Sequence, residues 1–348
     1  MRRERVTSLA TASAPAGSAM IGGRLVVAAS DLETQAAALW FVDEAGPGDP
    51  IPLGLDAVAG VAGLAGGLLV TGSDQSGERQ YVVAFEAGAV AAPIRLPSGD
   101  ELAREPRPLV LSSGVLILWE EYEADGLVLA AQRLTRTEGP WRAEGPAVRG
   151  PRRPFAPATD AAPLGERLGA IRVQENGEAT VEVLDERLAV RGSARLPDTP
   201  SRVALATGPD RLVVVTASGP GQPVVVRRFD AEPREVADQI SLPLRDRRAA
   251  VDAVTVGLGG AGRLAMITHV ETVLDDPTAQ GRAGGELGPP PRQRTDMATL
   301  VDLESGETTA SVKLDPASYG PGAVTWHGDR VHVVHGSSPV SVTSFSLG

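Results

Sequence analysis

Two histidines follow equivalent apolar runs in neighbouring copies of a repeated motif, and their side chains are suited to acid-base chemistry. The copies AGRLAMITHVE and HGDRVHVVHG contain His269 and His335, and Tyr319 lies between them. An imidazole titrates near neutral pH, so these three side chains are candidate catalytic residues for proton transfer. His269, Glu271 and His335 are also a candidate metal-binding set, since zinc accepts nitrogen and oxygen ligands. The alternative is structural: both histidines cap backbone groups where strands end.

Arginines form a second candidate site, in segments that connect one repeat to the next. The four candidates are Arg107, Arg153, Arg202 and Arg248. A guanidinium group binds a carboxylate or a phosphate through two parallel hydrogen bonds. If they converge, they would form a mouth for an anionic small molecule or saccharide. The alternative is that they are solvated and pair with nearby carboxylates such as Asp246 and Asp252.

Four carboxylates are concentrated in the sequence WEEYEADG, which begins at Trp119. The segment lacks the alternating spacing and the glycine of a calcium-binding loop. We therefore expect a solvated hairpin tip whose charges repel one another.

The elements that position these residues belong to a repeat of a turn followed by a valine-rich strand. Leu25 and Val331 mark the first and last of seven copies, which are separated by about 51 residues on average. Alternation of period two, interrupted by Gly and Pro, predicts strands rather than helices. The copies are GGRLVVAASD, GGLLVTGSD, SGVLILWEEYE, GERLGAIRVQ, PDRLVVVTASG, AGRLAMITHVE and HGDRVHVVHG.

Each repeat contains four predicted strands, A to D, with the smallest side chains in strand A. The seventh repeat lacks a strand D, and RVTSLA from Arg5 has the character of one. The repeats resemble the seven-bladed β-propeller superfamily, without the signatures of WD40, kelch or Asp-box families. The resemblance implies an all-β chain of four-stranded antiparallel blades, with residues 1–10 as the outer strand of the last blade. We expect one domain over residues 1–348, with a long loop at 271–296 between strands B and C of blade six.

The resemblance also implies that the D-to-A and B-to-C loops share one face, on which ligands bind. The leading hypothesis is a non-catalytic propeller that binds a protein partner or an anionic ligand there. The alternative is a lyase or hydrolase acting on an anionic sugar or ester, with a histidine site between blades six and seven. Fold alone does not choose between them, and the sequence names no cofactor.

Composition excludes several other classes of protein. A net charge of −11 argues against nucleic-acid binding, and the absence of cysteine excludes disulfides and thiolate chemistry. No apolar run reaches the roughly 18 residues of a membrane span. The first residues show no leader, which makes the cytoplasm the default expectation; export with removal of a leader is the alternative. Lys313 is the only lysine beside abundant arginine, as expected of a GC-rich bacterial genome.

Overall fold

Seven antiparallel sheets surround one axis; six are formed by consecutive strands from the centre outward, and the seventh takes its outer strand from the start of the chain. The computed structural model describes residues 2–9, 12–31, 36–74, 76–77, 79–97, 103–123, 126–136, 139–154, 156, 158–273, 292–315, 322–336 and 339–347. The only helical element in these ranges is a 3₁₀ turn at Gly260–Gly262. The described part of the chain is therefore all-β, as the sequence predicts.

The first four blades follow a leading strand, β1 (Arg2–Leu9). Blade one consists of β2 (Ser13–Ile21), β3 (Arg24–Asp31), β4 (Ala36–Asp43), β5 (Gly46–Pro47) and β6 (Ile51–Pro52). Blade two consists of β7 (Ala57–Leu64), β8 (Gly67–Ser73), β9 (Gln80–Glu86), β10 (Ala89–Val90) and β11 (Ile94–Arg95). Blade three consists of β12 (Ala103–Leu111), β13 (Gly114–Glu123), β14 (Gly126–Thr135) and β15 (Arg142–Arg149). Blade four consists of β16 (Ala158–Leu164), β17 (Arg167–Val173), β18 (Ala179–Leu184) and β19 (Val190–Arg195).

Three further blades complete the ring. Blade five consists of β20 (Arg202–Thr207), β21 (Arg211–Ala217), β22 (Val224–Asp230) and β23 (Ile240–Leu242). Blade six consists of β24 (Ala249–Leu258), β25 (Arg263–Val273), β26 (Arg292–Asp302) and β27 (Thr308–Leu314). Blade seven consists of β28 (Ala323–His327), β29 (Arg330–His335), β30 (Val340–Ser346) and the leading strand β1.

The core lies between the blades, and this explains the valine-rich runs. Successive side chains of a strand point to opposite faces. On β21, Leu212 and Val214 therefore pack against blade four, whereas Val213 and Val215 pack against blade six. A strand buried on both faces has an almost continuous apolar sequence.

The innermost strands have small side chains because they approach closely at the axis. A Cβ atom added to Gly17 of blade one would lie 2.8 Å from Cγ2 of Val61 in blade two. That separation is shorter than carbon atoms tolerate at van der Waals contact. Small residues in strand A thus allow seven strands to meet around one channel.

The N-terminal strand closes the ring, which confirms the prediction from RVTSLA. β1 pairs antiparallel with β30, in a register that places Val6 opposite Thr343 and Leu9 opposite Val340. Leu9 is completely buried and packs in the cluster that contains Trp40 and Val342. Pairing β1 with β30 gives blade seven its fourth strand.

Some outer strands and one loop differ from their predicted extents. The outer strands of blades one and two are each divided into two pieces of two residues. Prolines near these pieces lack the N–H that a continuous ladder requires. In blade six, β25 continues to Val273 and β26 begins at Arg292, so the ends of the predicted 271–296 loop are strand. Residues 274–291 lie outside the described ranges.

Candidate functional site

His269 lies inside β25 and points toward blade seven. Ala265 and Ile267, on the same face of the strand, pack with residues of blade seven. The side chain is 6% exposed, and its Nδ1 lies 3.0 Å from Oδ1 of Asp296, which is fully buried. The Nε2 atom of His269 is also buried and has no hydrogen-bond partner among the described residues. One imidazole nitrogen is therefore held by a carboxylate, and no described residue bonds the other.

His335 lies at the end of β29, on the face that points toward blade six. Val331 and Val333, on the same face, belong to the cluster shared by blades six and seven. His335 is fully buried, and its Nε2 lies 2.8 Å from Oγ1 of Thr343 on β30. Both histidines thus line the gap between these two blades. Tyr319, the third candidate, lies outside the described residues.

Glu271 is held by arginines rather than by the histidines. Its Oε1 lies 2.5 Å from Nη2 of Arg294, and its Oε2 lies 2.8 Å from Nη1 of Arg292. Hydrogen bonds from Arg292 and Arg294 lower the pKa of Glu271. Among the described residues, no three His, Asp or Glu side chains form a group that could hold a metal ion. The set of His269, Glu271 and His335 stays a prediction from the sequence.

Asp296 is the site residue that sequence analysis missed. The predicted loop ended at this residue, and an aspartate at the end of a loop gives no sign of a buried partner. In the structure, β25 and β26 pair without interruption, from Arg263 opposite Asp302 to Val273 opposite Arg292. This register places Asp296 directly opposite His269. Extending the strand pairing outward from the apolar residues of the hairpin would have placed Asp296 opposite His269.

The four candidate arginines each form an ion pair with a carboxylate. The pairs are Arg107 with Asp160 at 2.5 Å, Arg202 with Asp252 at 3.2 Å, Arg248 with Asp246 at 3.7 Å, and Arg153 with Glu182. Three of these pairs join neighbouring blades, and only that of Arg248 is local. Two of the carboxylates, Asp246 and Asp252, are those considered in the alternative interpretation. The structure does not bring the four arginines together at one mouth, since Arg107 alone among them lines the channel.

The central channel has a volume of about 860 Å³ and is lined by all seven innermost strands. Among its described lining residues, Arg107 and Asp160 are the charged ones. Burial raises the pKa of Asp160, while the charge of Arg107 opposes this effect. The backbone N–H of Leu205 in blade five also donates to Asp160 at 2.7 Å. This carboxylate therefore joins blades three, four and five at the channel wall.

The expectation of a solvated, repelling hairpin tip in blade three is wrong for the carboxylates that the structure describes. Glu121 is 1% exposed and accepts a hydrogen bond of 3.0 Å from Nε1 of Trp119. It also forms an ion pair with Arg149 of the outer strand, and Glu123 forms one with Arg152. Antiparallel pairing within the blade therefore places arginines that follow strand C in the sequence next to carboxylates of strand B.

Comparison with known proteins supports the fold alone. No family model matches the chain, and no curated protein matches it. Among solved structures, it is similar to the β-propeller domain of Cps50 (Swd1) from Myceliophteria thermophila, with a TM-score of 0.60 and 11% identity over 99% of this chain and 100% of that chain. It is also similar to the WD40 domain of Pan2 from Neurospora crassa, with a TM-score of 0.56 and 11% identity over 97% of this chain and 90% of that one. The chain therefore shares the architecture of these propellers. Within the described ranges, no helix is long and apolar enough to cross a membrane.

Proposed function

We propose that this chain is a non-catalytic propeller that binds a protein partner on the face formed by its D-to-A and B-to-C loops. The observation that carries this proposal is the pairing of the four candidate arginines with internal carboxylates. A small anion on this face would have to compete with a carboxylate that is already in place. A surface of fixed, alternating charges is instead suited to a partner of complementary charge pattern, because such complementarity sets orientation and specificity.

The hairpin of blade six supplies a docking element on this face. Pairing of β26 with the outer strand β27 extends from Val301 only as far as Asp296. Residues Arg292–Thr295 therefore extend past β27 while still pairing with β25. We call this part, residues 271–273 and 292–295, the hairpin end. Where the described part of the hairpin stops, Val273 is 39% exposed, and Arg292 beside it has a side chain that is 57% exposed.

A groove of about 410 Å³ lies beside the hairpin end, between blades five and six. Its apolar lining includes Leu242, Leu244, Val270 and Met297, and Thr295 of the hairpin end also lines it. An extended partner segment that follows a strand edge gains backbone hydrogen bonds from the edge and side-chain contacts from adjacent pockets. The hairpin end and this groove together offer both kinds of contact.

The test is affinity capture from the source organism with matched variants. Val273→Asp combined with Arg292→Glu alters the hairpin end. Val190→Asp combined with Arg191→Glu is the control, because Val190 is 45% exposed and Arg191, like Arg292, is an exposed arginine paired with a carboxylate. The wild type and the control should retain a partner that the hairpin variant loses. Capture of no specific partner, or equal capture by both variants, contradicts the proposal.

A lyase or hydrolase acting on an anionic sugar or ester is the second candidate, and the geometry of His269 favours it. Its Nδ1 is held by Asp296, which is how a general base is oriented, and its buried Nε2 has no hydrogen-bond partner among the described residues. Purified protein should then turn over a member of a panel of sugar acids and anionic esters. His269→Gln should abolish that turnover with the circular dichroism spectrum unchanged. Full activity in this variant would remove His269 from the site.

A further inference from the structure

A cavity of about 590 Å³ lies on the opposite face, at the joint between blades seven and one where the ring is closed. We call it the closure cavity. Its lining comes from β1, from the start of β29, from the end of β30 and from blade one, and includes Arg2, Arg3, Arg5, Arg24, Arg330 and His332. Sites for small molecules commonly have volumes of roughly 300–1,000 Å³. The closure cavity is therefore large enough for an organic ligand.

The closure cavity is positively charged, although the whole chain carries −11. Among its described lining residues, five arginines stand against three carboxylates, Glu4, Asp43 and Glu44. A concave site with one dominant sign of charge concentrates ions of the opposite sign. With both lining histidines neutral, the formal excess is two positive charges, which corresponds to one dianion.

The carboxylates neutralise these arginines only in part. Nη2 of Arg24 lies 3.4 Å from Asp43, and Nε of Arg330 lies 3.6 Å from Glu4. Both distances are longer than those of strong charge-assisted hydrogen bonds, which are about 2.7–2.9 Å. The guanidinium group of Arg5 donates to neutral backbone carbonyls, those of Asp43 at 3.0 Å and of Glu44.

Arg2 and Arg3 add cationic groups at the rim. Neither forms an ion pair with any residue that the structure describes. Both are exposed, and they precede the short β-bulge between Arg3 and Arg5 in the pairing of β1 with β30. The closure cavity thus contains guanidinium groups that have no carboxylate partner among the described residues.

His332 and nearby hydroxyl groups complete the wall. The Nδ1 atom of His332 lies 2.8 Å from Oγ of Ser344, and Thr7 and Ser346 also line the cavity. Burial lowers the pKa of His332, and the electrostatic effects of the nearby His327 and Arg330 lower it further. A negative ligand would offset this repulsion, and the hydroxyls supply neutral donors for its remaining oxygens.

We propose that the closure cavity binds a small organic phosphate, a phosphate monoester whose organic part occupies the rest of the cavity. At neutral pH such a group carries about −1.5 to −2 charges, which matches the excess of two positive charges. Its oxygens accept the paired N–H groups of guanidinium ions. Because the ligand contacts β1 as well as blade one, it bridges the two elements that meet at the closure of the ring. Binding therefore stabilises the closed ring by mass action.

The test is calorimetric titration of the full chain at 50 mM salt with ribose 5-phosphate, ribose, inorganic phosphate and succinate. Ribose 5-phosphate should bind at one site per chain, more tightly than inorganic phosphate or succinate, and should raise the melting temperature. Ribose should not bind, and 300 mM salt should weaken the interaction. Absence of phosphate-ester binding at millimolar concentration overturns the proposal. Tighter binding of succinate or of inorganic phosphate overturns the assignment of the ligand class.

Matched variants locate the site. Arg330→Gln should weaken binding about tenfold, the loss typical of one charge-assisted contact. Arg211→Gln is the control: like Arg330, Arg211 begins a strand B, has a half-exposed side chain and lies near a carboxylate, at 3.8 Å from Asp210. Arg2→Gln combined with Arg3→Gln changes two exposed residues, so lost binding in a folded protein is the expected result. Equal affinity in all three variants would place the ligand elsewhere and overturn the proposal.

Discussion

The imidazole of His269 has one nitrogen bonded to Asp296, and the other is buried without a hydrogen-bond partner in the part of the chain that the structure describes. The sequence predicted a histidine site between blades six and seven, because His269 and His335 follow equivalent apolar runs in neighbouring repeats. Asp296 was missed because the predicted loop ended there and the pairing of the hairpin was not extended outward to it. Ion-pair partners such as Asp160 and Glu182 were also missed, because they lie in a different blade from the arginines that they bind.

Truncation of Asp296 should destabilise the protein more than removal of its charge alone. Asp296→Ala leaves Nδ1 of buried His269 without an acceptor, and we expect a loss of about 1–3 kcal/mol in the free energy of unfolding. Asp296→Asn retains an amide oxygen that accepts the same hydrogen bond, so its loss should be smaller. Urea unfolding of both variants measures the difference. Equal losses of unfolding free energy in the two variants would show that a hydrogen-bond acceptor at position 296 contributes nothing to stability.

His332 should make the fold sensitive to mild acid. Burial lowers its pKa, with His327 and Arg330 adding to the effect and Glu4 opposing it. The unfolded chain, in which histidine titrates near 6.5, then binds more protons than the folded protein as pH falls below that value. Stability is therefore lost as pH falls from about 6.5 toward the lowered pKa. His332→Gln should lose less unfolding free energy than wild type between pH 7.5 and 5.5, measured by urea titration; an identical loss would exclude this role.

At the scale of single elements, whether the sequence predicted a strand correctly depended on how much of that strand is buried. Strands A to C were predicted because both of their faces contribute to cores between blades. Outer strands have more exposed side chains and several prolines, so their true lengths in blades one and two could not be predicted. The ends of β25 and β26 were assigned to a loop because Glu271 and Arg292 to Asp296 are mostly polar. Hydrogen bonding across the hairpin, rather than burial of apolar side chains, extends these strands.

The leading strand β1 should contribute to stability through its buried face alone. Leu9 is fully buried, and Val6, on the same strand, is 42% exposed. Leu9→Ala should lower the free energy of unfolding by about 2–5 kcal/mol, the usual cost of such a truncation in a core. Val6→Ala should change it by no more than about 0.5 kcal/mol. Chemical denaturation measures both, and a similar small effect for each would mean that β1 does not close the ring in solution.

At the scale of the whole molecule, the number of blades and the mode of closure were predictable because the repeat recurs seven times and one strand was missing at its end. An arginine mouth was not formed, because each candidate arginine is paired and three of the four pairs cross between blades. Ion pairs of this kind depend on which blades are neighbours and on how closely they pack. The sequence pattern of one repeat does not show which residues of a neighbouring blade it contacts.

Loss of an ion pair between blades should therefore cost more than loss of a local one. Arg153 and Glu182 have side chains that are 8% and 10% exposed, whereas those of Arg248 and Asp246 are 53% and 41% exposed. Glu182→Ala leaves a buried arginine without its carboxylate, and we expect a loss of about 3–5 kcal/mol. Asp246→Ala should cost less than about 1 kcal/mol. Comparable losses in urea unfolding would show that the pair between blades three and four is no stronger than a surface pair.

The pairing of β1 with β30 also determines the order in which the molecule is completed during synthesis. Leu9 leaves the ribosome about 330 residues before its partner Val340. At 5–20 residues per second, this strand waits roughly 20–60 s for its place in the ring. During that interval the six preceding blades have an open end, and the apolar side chain of Leu9 is without the neighbours that bury it. Nascent chains of this protein are therefore expected to need a chaperone until blade seven has been made.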